Sequence, residues 1–175
     1  MQYTRESAIE RLLKNYGPYY NIHMIEDDQT PITARCDFFE HSGQYVISKK
    51  AELWSAENEE FLYLLNIPHL TLQLFEQWRD YIYEDGMKRI HVGPGHMASY
   101  ITAVFVCDTC DEDALKALKK CRIYKSFHFS LHGWMDHHTA LVELSTGQID
   151  ANPGGRHTAK FLKKVLYSSR MKGDK

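Results

Sequence analysis

The segment "EFLYLLNI" (residues 60–67) is apolar at nearly every position. It is shorter than most helices and shows no alternation of polar and apolar residues. It therefore reads as a strand buried on both faces. "SYITAVFVCD" (99–108) reads the same way. Between them, "LTLQLFEQWRDYIYEDG" (70–86) places Leu74, Phe75, Trp78 and Ile82 on one side of a helix, with Gly86 where a C-terminal cap would stand. Two buried strands separated by an amphipathic helix call for a sheet covered by helices.

Toward the N-terminus, "TRESAIERLLKNYGP" (4–18) is a helix. Ala8, Ile9, Leu12, Leu13 and Tyr16 make its apolar stripe, Thr4 its cap and Gly17-Pro18 its end. A polar loop around "EDDQTP" follows. "ITARCDFFE" (32–40) and "YVISKKAELW" (45–54) then read as a hairpin across the turn "HSGQ", with "SAENE" linking to the buried strand. Toward the C-terminus, Thr109 and Glu112 match a capping box for a helix in "TCDEDALKALKKC", whose first turn is acidic and last turn basic. Strands are expected near 125–132 and 138–144, and a short one at "IDAN". A final helix near "GGRHTA" would bury Phe161, Leu162, Val165 and Leu166. The expected fold is α/β (α+β): a single domain over residues 1–169, ordered α-β-β-β-α-β-α-β-β-(β)-α. Its mixed sheet and hairpins would be covered by about four helices, and residues 170–175 would fray.

The totals bound the function. A chain of 175 residues can bury a sizeable core, and its 43% hydrophobic and 25% charged residues are ordinary for a globular protein. No apolar run approaches the ~20 residues of a membrane span, and the charged, amphipathic start does not resemble an export signal. A cytoplasmic protein is expected, with no membrane partner and with its four cysteines reduced. The net charge of −2 is uneven: residues 1–87 carry −8 and residues 88–175 carry +6. Lys116, Lys119, Lys120, Arg122, Lys125, Lys160, Lys163 and Lys164 would offer a basic face to an acidic partner or nucleic acid. Equally, they are ordinary solvated helix faces.

Three groups of residues could carry chemistry. "FHFSLHGWMDHHTALVEL" (127–144) is rich in histidine. Read as a strand, it turns Phe127, Phe129 and Leu131 to the core, and His128, Ser130 and His132 to the other face. His128 and His132 would then lie about 13 Å apart, too far for one ion. A zinc site would need His132 with Asp136 or His138 across the turn, plus a ligand from elsewhere; Asp136 and His138, two apart, would share a face, and Gly133, Trp134 and Asp136 fit a turn between two strands just as well. Cys107-Asp-Thr-Cys110 is a CxxC, but the acidic residues around it raise thiol pKa. A zinc site there would take Cys121 and His128 as third and fourth ligands, though a helix separates them from the pair; the alternative is Cys107 ending a buried strand and Cys110 in the first helical turn. Gly154, Gly155 and Arg156 sit at a helix start suited to an anion, without the spacing of a P-loop. His91 and His96 flank Gly93-Pro94-Gly95 in what reads as a turn.

The order α-β-β-β-α-β resembles the core of the PD-(D/E)XK nuclease-like families. That resemblance implies Asp37 as a first carboxylate, with Lys50 and Glu52 on the next strand, in reversed order, to hold Mg²⁺ and activate water. Over most of its length the chain also resembles an uncharacterised family from anaerobic bacteria. "YVISKKAELWSAENEEFLYL", "GHMASYITAVFVCD" and the histidine segment carry this resemblance, which implies no activity. The leading expectation is a non-catalytic binding or regulatory module acting as a homodimer, with no cofactor. The alternatives are a Mg²⁺-dependent hydrolase or nuclease using Asp37, Glu52 and Lys50, and a histidine metal protein.

Overall fold

A computed structural model describes residues 3–42 and 56–168. Over these the chain runs α1 (Arg5–Tyr16), β1 (Asn21–Met24), β2 (Ile32–Ser42), β3 (Ala56–Leu70), α2 (Leu72–Arg89) and β4 (His96–Cys110). It continues through α3 (Glu112–Lys120), β5 (Tyr124–Ser126), β6 (Trp134–Glu143), β7 (Gln148–Ala151) and α4 (Arg156–Leu166). The described residues thus make a single mixed α/β domain of four helices and one seven-stranded sheet, in the element order expected. No described helix is long and apolar enough to cross a membrane.

The two apolar runs form the centre of the sheet. β3 and β4 pair in parallel, and β6 lies parallel on the other edge of β4. β2 runs antiparallel to β3 and carries β1 on its outer edge. β5 and β7 share the outer edge of β6, with β5 opposite residues 134–136 and β7 opposite residues 140–143. Asn152 fills the gap between them. Its side chain accepts from the N–H groups of Thr139 and Gly155 and donates to the carbonyls of Cys121 and His137, at 2.8–3.1 Å. One buried amide thus does for a strand edge what a further pair of strand residues would do.

Alternate strand residues face opposite layers. Phe61, Leu65, Ile101, Phe105 and Leu141 meet Phe75 and Ile82 of α2 and Leu118 of α3. Leu62, Leu64, Val104, Val106 and Val142 meet Ile9 and Leu12 of α1 and Leu162 and Leu166 of α4. On this second face α1 also ties to α4, where Arg11 Nε donates to the Val165 carbonyl at 2.7 Å. The lysines of α3 and α4 are therefore divided between the two faces of the sheet, and Lys119 is paired with Asp150.

Several local expectations are corrected. Residues 21–24 pair as β1, ahead of the stretch read as loop. β3 begins at Ala56, so most of "SAENE" is strand, and β2 pairs along its length with β3. The strand expected at 45–54 and the tail 170–175 lie outside the described residues. Gly86 is not a cap but a buried residue inside α2. A Cβ there would meet the Ile101 side chain at 2.7 Å, so glycine is what lets α2 press against β4. Thr109 belongs to β4 and bonds His69 through its hydroxyl, and Asp111 takes the N-cap position of α3 without a side-chain capping hydrogen bond.

The largest correction falls on residues 127–133. They form a turn, with positive φ at His128, Phe129, Ser130 and Gly133. Phe127 is buried, but Phe129 is 95% exposed and Leu131 73% exposed, so no phenylalanine face exists. The His128 and His132 rings stack at 4.8 Å instead of standing a strand's length apart. Trp134 and Asp136, expected in a turn, open β6.

Candidate functional site

Register brings four side chains into one row. Phe38, Glu60, Tyr100 and Asp136 are successive partners across β2, β3, β4 and β6. Two residues along, Leu62, Thr102 and His138 form the next row on the same face. Tyr16, Tyr19 and Tyr20, where α1 ends, make one wall. His157, Thr158, Phe161 and Lys164 of α4 make the other. They enclose a cavity of about 730 Å³. It lies toward the amino ends of the parallel strands, the opposite end from the ligand crevice of nucleotide-binding doubly wound sheets. A smaller cavity of about 330 Å³ beside α2 holds Arg35 and Arg89, but both arginines are already ion-paired, with Asp37 and Asp85.

The polar groups of the large cavity are held in place. Glu60 accepts from Tyr20 Oη at 2.5 Å and from Thr102 Oγ1 at 2.6 Å. Burial, then the Glu60 charge, pushes the Tyr20 phenol far above its ordinary pKa, so it stays a donor. Tyr16 is also pushed up, by burial and then by Glu60, and its buried hydroxyl has no hydrogen-bond partner among the described residues. His138 Nε2 lies 3.2 Å from Asp136 Oδ2, and its ring stacks on Tyr100 at 4.9 Å. Gly154 makes that packing fit, because a Cβ there would stand 2.6 Å from His138 Cδ2 and 2.8 Å from Asp136 Oδ2.

The residues singled out from sequence divide accordingly. Asp136 and His138 come together at the cavity. His132 does not join them: it lies in the 127–133 turn, where its carbonyl receives His96 Nδ1 at 2.5 Å. Among the described residues no group of three His, Cys, Asp or Glu side chains is arranged to hold a metal ion. Of the expected anion site, Gly154 packs on His138, the Gly155 N–H is taken by Asn152, and Arg156 is exposed. Asp37 is buried and bound by Arg35 at 2.8 Å, with His23 at 3.2 Å. Lys50 and Glu52 lie outside the described residues.

Cys107 and Cys110 both belong to β4, and all four cysteines are free thiols. Burial, then Glu143 and neighbouring aspartates, pushes Cys110 up to about 11, and burial first of all raises Cys107 too. On the opposite face from the cavity, Ser99 Oγ sits 2.6 Å from His96 Nε2 and donates to Glu59 Oε1 at 2.8 Å, while the His91 N–H also reaches Glu59. Ser99 is fully buried and its proton goes to the carboxylate. This arrangement braces the start of β4 and presents no nucleophile.

The cavity itself was missed from sequence. Two signals pointed to it: three tyrosines within "YGPYY", and an acid, Glu60, on the same strand face as Leu62 and Leu64.

Neither the curated proteins nor the solved structures searched include a match to the chain. A family model described as a domain of unknown function, DUF8052, matches residues 4–164. The matched span runs from the cap of α1 to Lys164 of α4 and takes in both walls of the cavity. The chain belongs to the DUF8052 family.

Proposed function

We propose that this protein is a non-catalytic small-molecule-binding module and that the cavity between α1, α4 and the sheet is its site. The observation that carries the reading is the cavity's make-up: about 730 Å³, mostly aromatic walls, and a few converging polar groups. That is the usual constitution of a ligand site. Binding is the reading favoured because the cavity's polar groups are held in fixed positions, as recognition groups are. Glu60 is held by two hydroxyls, and the His138 ring is fixed by Asp136 and by stacking on Tyr100.

The test is a thermal-shift screen of small polar and aromatic compounds, run in parallel on wild type and on Thr158→Trp, which fills the cavity from α4. A compound at a hundred times its Kd stabilises by about 2.7 kcal/mol, roughly 5–10 °C for a chain of this size. Shifts of that order in wild type and none in the variant support the reading. Equal shifts in both, or none in either, refute it.

A further inference from the structure

We infer that the ligand of this cavity is an organic cation, an ammonium group on an apolar or aromatic body, seated against Glu60. The inference rests on the cavity being the ligand site.

Three observations support it. First, the donors around Glu60 stabilise a negative charge without cancelling it. Tyr20 and Thr102 are neutral hydroxyls, and among the described residues no basic side chain pairs with this carboxylate. A carboxylate at the floor of a cavity, hydrogen-bonded but lacking a counter-charge, is electrostatically incomplete. Secondly, the surroundings are aromatic. Tyr16, Tyr19, Tyr20, Phe38, Tyr100 and Phe161 line the same space. Three of them interlock with Tyr16 or Tyr20 at ring distances of 4.5–5.5 Å: Tyr16 with Tyr20, Tyr16 with Phe161, and Tyr20 with Phe38. Aromatic faces attract cations, and cages of this kind with an acid in the wall are how ammonium groups are recognised. Thirdly, Tyr16 is only 3% exposed, lines the cavity, and has a hydroxyl without a partner among the described residues. A buried polar atom of that kind calls for a ligand group, and its oxygen lone pairs would accept an ammonium N–H.

The remaining charges fit this assignment. Asp136 is the strand partner of Tyr100 in the same row as Glu60, so the floor carries a second acid. Of the basic side chains, His157 and Lys164 belong to the α4 wall and are exposed, and His138 on the floor faces Asp136 at 3.2 Å. An anion on the floor would face two carboxylates. A neutral ligand would leave Glu60 without its counter-charge.

The experiment varies charge on one ring system. Tryptamine, tryptophol and indole-3-acetate are titrated separately into the full chain by calorimetry and followed by methyl and aromatic NMR shifts. Tryptamine is expected to bind at least about tenfold more tightly than tryptophol, with indole-3-acetate weakest. In Glu60→Gln, which keeps the size, removes the charge and leaves one of the two acceptor oxygens, tryptamine loses its preference over tryptophol. Equal binding of tryptamine and tryptophol, or tighter binding of the acid, overturns the cation and leaves the cavity as a site. Binding of none of the three at millimolar concentration also overturns it. In that case the comparison with Thr158→Trp across the wider compound set shows separately whether the cavity binds anything.

Discussion

His137 sets a pH limit on the fold. It is fully buried on β6, edge-on to Tyr83 of α2 at 6.4 Å, with no hydrogen-bond partner at either ring nitrogen among the described residues. Burial, then the neighbouring His138, lowers its pKa from 6.5 to about 4. The Ile101 backbone offsets part of this while falling short of a hydrogen bond. Arg79 and Asp80 of α2 act in opposite directions. The folded protein therefore keeps His137 neutral, and the unfolded chain takes up a proton below pH 6.5. Stability is undiminished above that pH, falls between 6.5 and about 4, and levels off below. The interval between the two pKa values corresponds to about 3 kcal/mol in all. About 1 kcal/mol of it is gone by pH 5.5 and about 2–3 kcal/mol by pH 4.5. For a domain holding some 5–15 kcal/mol this is a substantial share. The assay is urea unfolding at pH 7.5, 5.5 and 4.5 for wild type and His137→Leu, a near-isosteric replacement that cannot titrate. The wild-type midpoint should drop by about 1 M more than that of the variant between pH 7.5 and 4.5. Parallel pH profiles for the two proteins would refute the reasoning.

Other substitutions test other joints. Asn152→Ala removes all four side-chain hydrogen bonds at the edge of β6 and should cost about 3–5 kcal/mol, lowering the melting temperature by roughly 6–20 °C. A change under 2 °C would show that water replaces the amide. Gly154→Ala forces His138 off Tyr100 at a cost of about 1–3 kcal/mol. Its signature is a shifted His138 imidazole resonance, and an unmoved resonance contradicts the packing described. Cys110, its pKa raised to about 11, should react with iodoacetamide at pH 7.5 about a hundredfold more slowly than it does in urea, by peptide mass spectrometry. Rapid labelling in the folded protein would contradict its environment.

How legible each part was follows from how local its cause is. β3 and β4 announce themselves because strands buried on both faces need continuous apolar runs. α1 is equally plain from its stripe and Thr4 cap. β1 is short and mostly exposed, so it carries no alternation to read. The 127–133 turn misleads because its Phe-x-Phe-x-Leu pattern imitates a strand. Three non-glycine residues adopt left-handed conformations there, which composition does not reveal. Gly86 looks like a cap because its real reason, the approach of Ile101, comes from a strand fifteen positions away. The cavity was harder still. That Asp136 and His138 share a face follows from their spacing on one strand, but their company with Glu60, Tyr20 and Gly154 depends on register across four strands and on two helices distant in sequence.

The bond from Arg11 to the Val165 carbonyl spans 154 positions of the chain. At translation rates of about 5–20 residues per second, α1 emerges roughly ten to thirty seconds before the helix it rests against. During that time its apolar stripe has only the unfinished sheet to cover it, and the nascent chain is open to the chaperones that attend exposed hydrophobic surface. The cavity comes into being only when α4 docks, because one of its two walls is that helix.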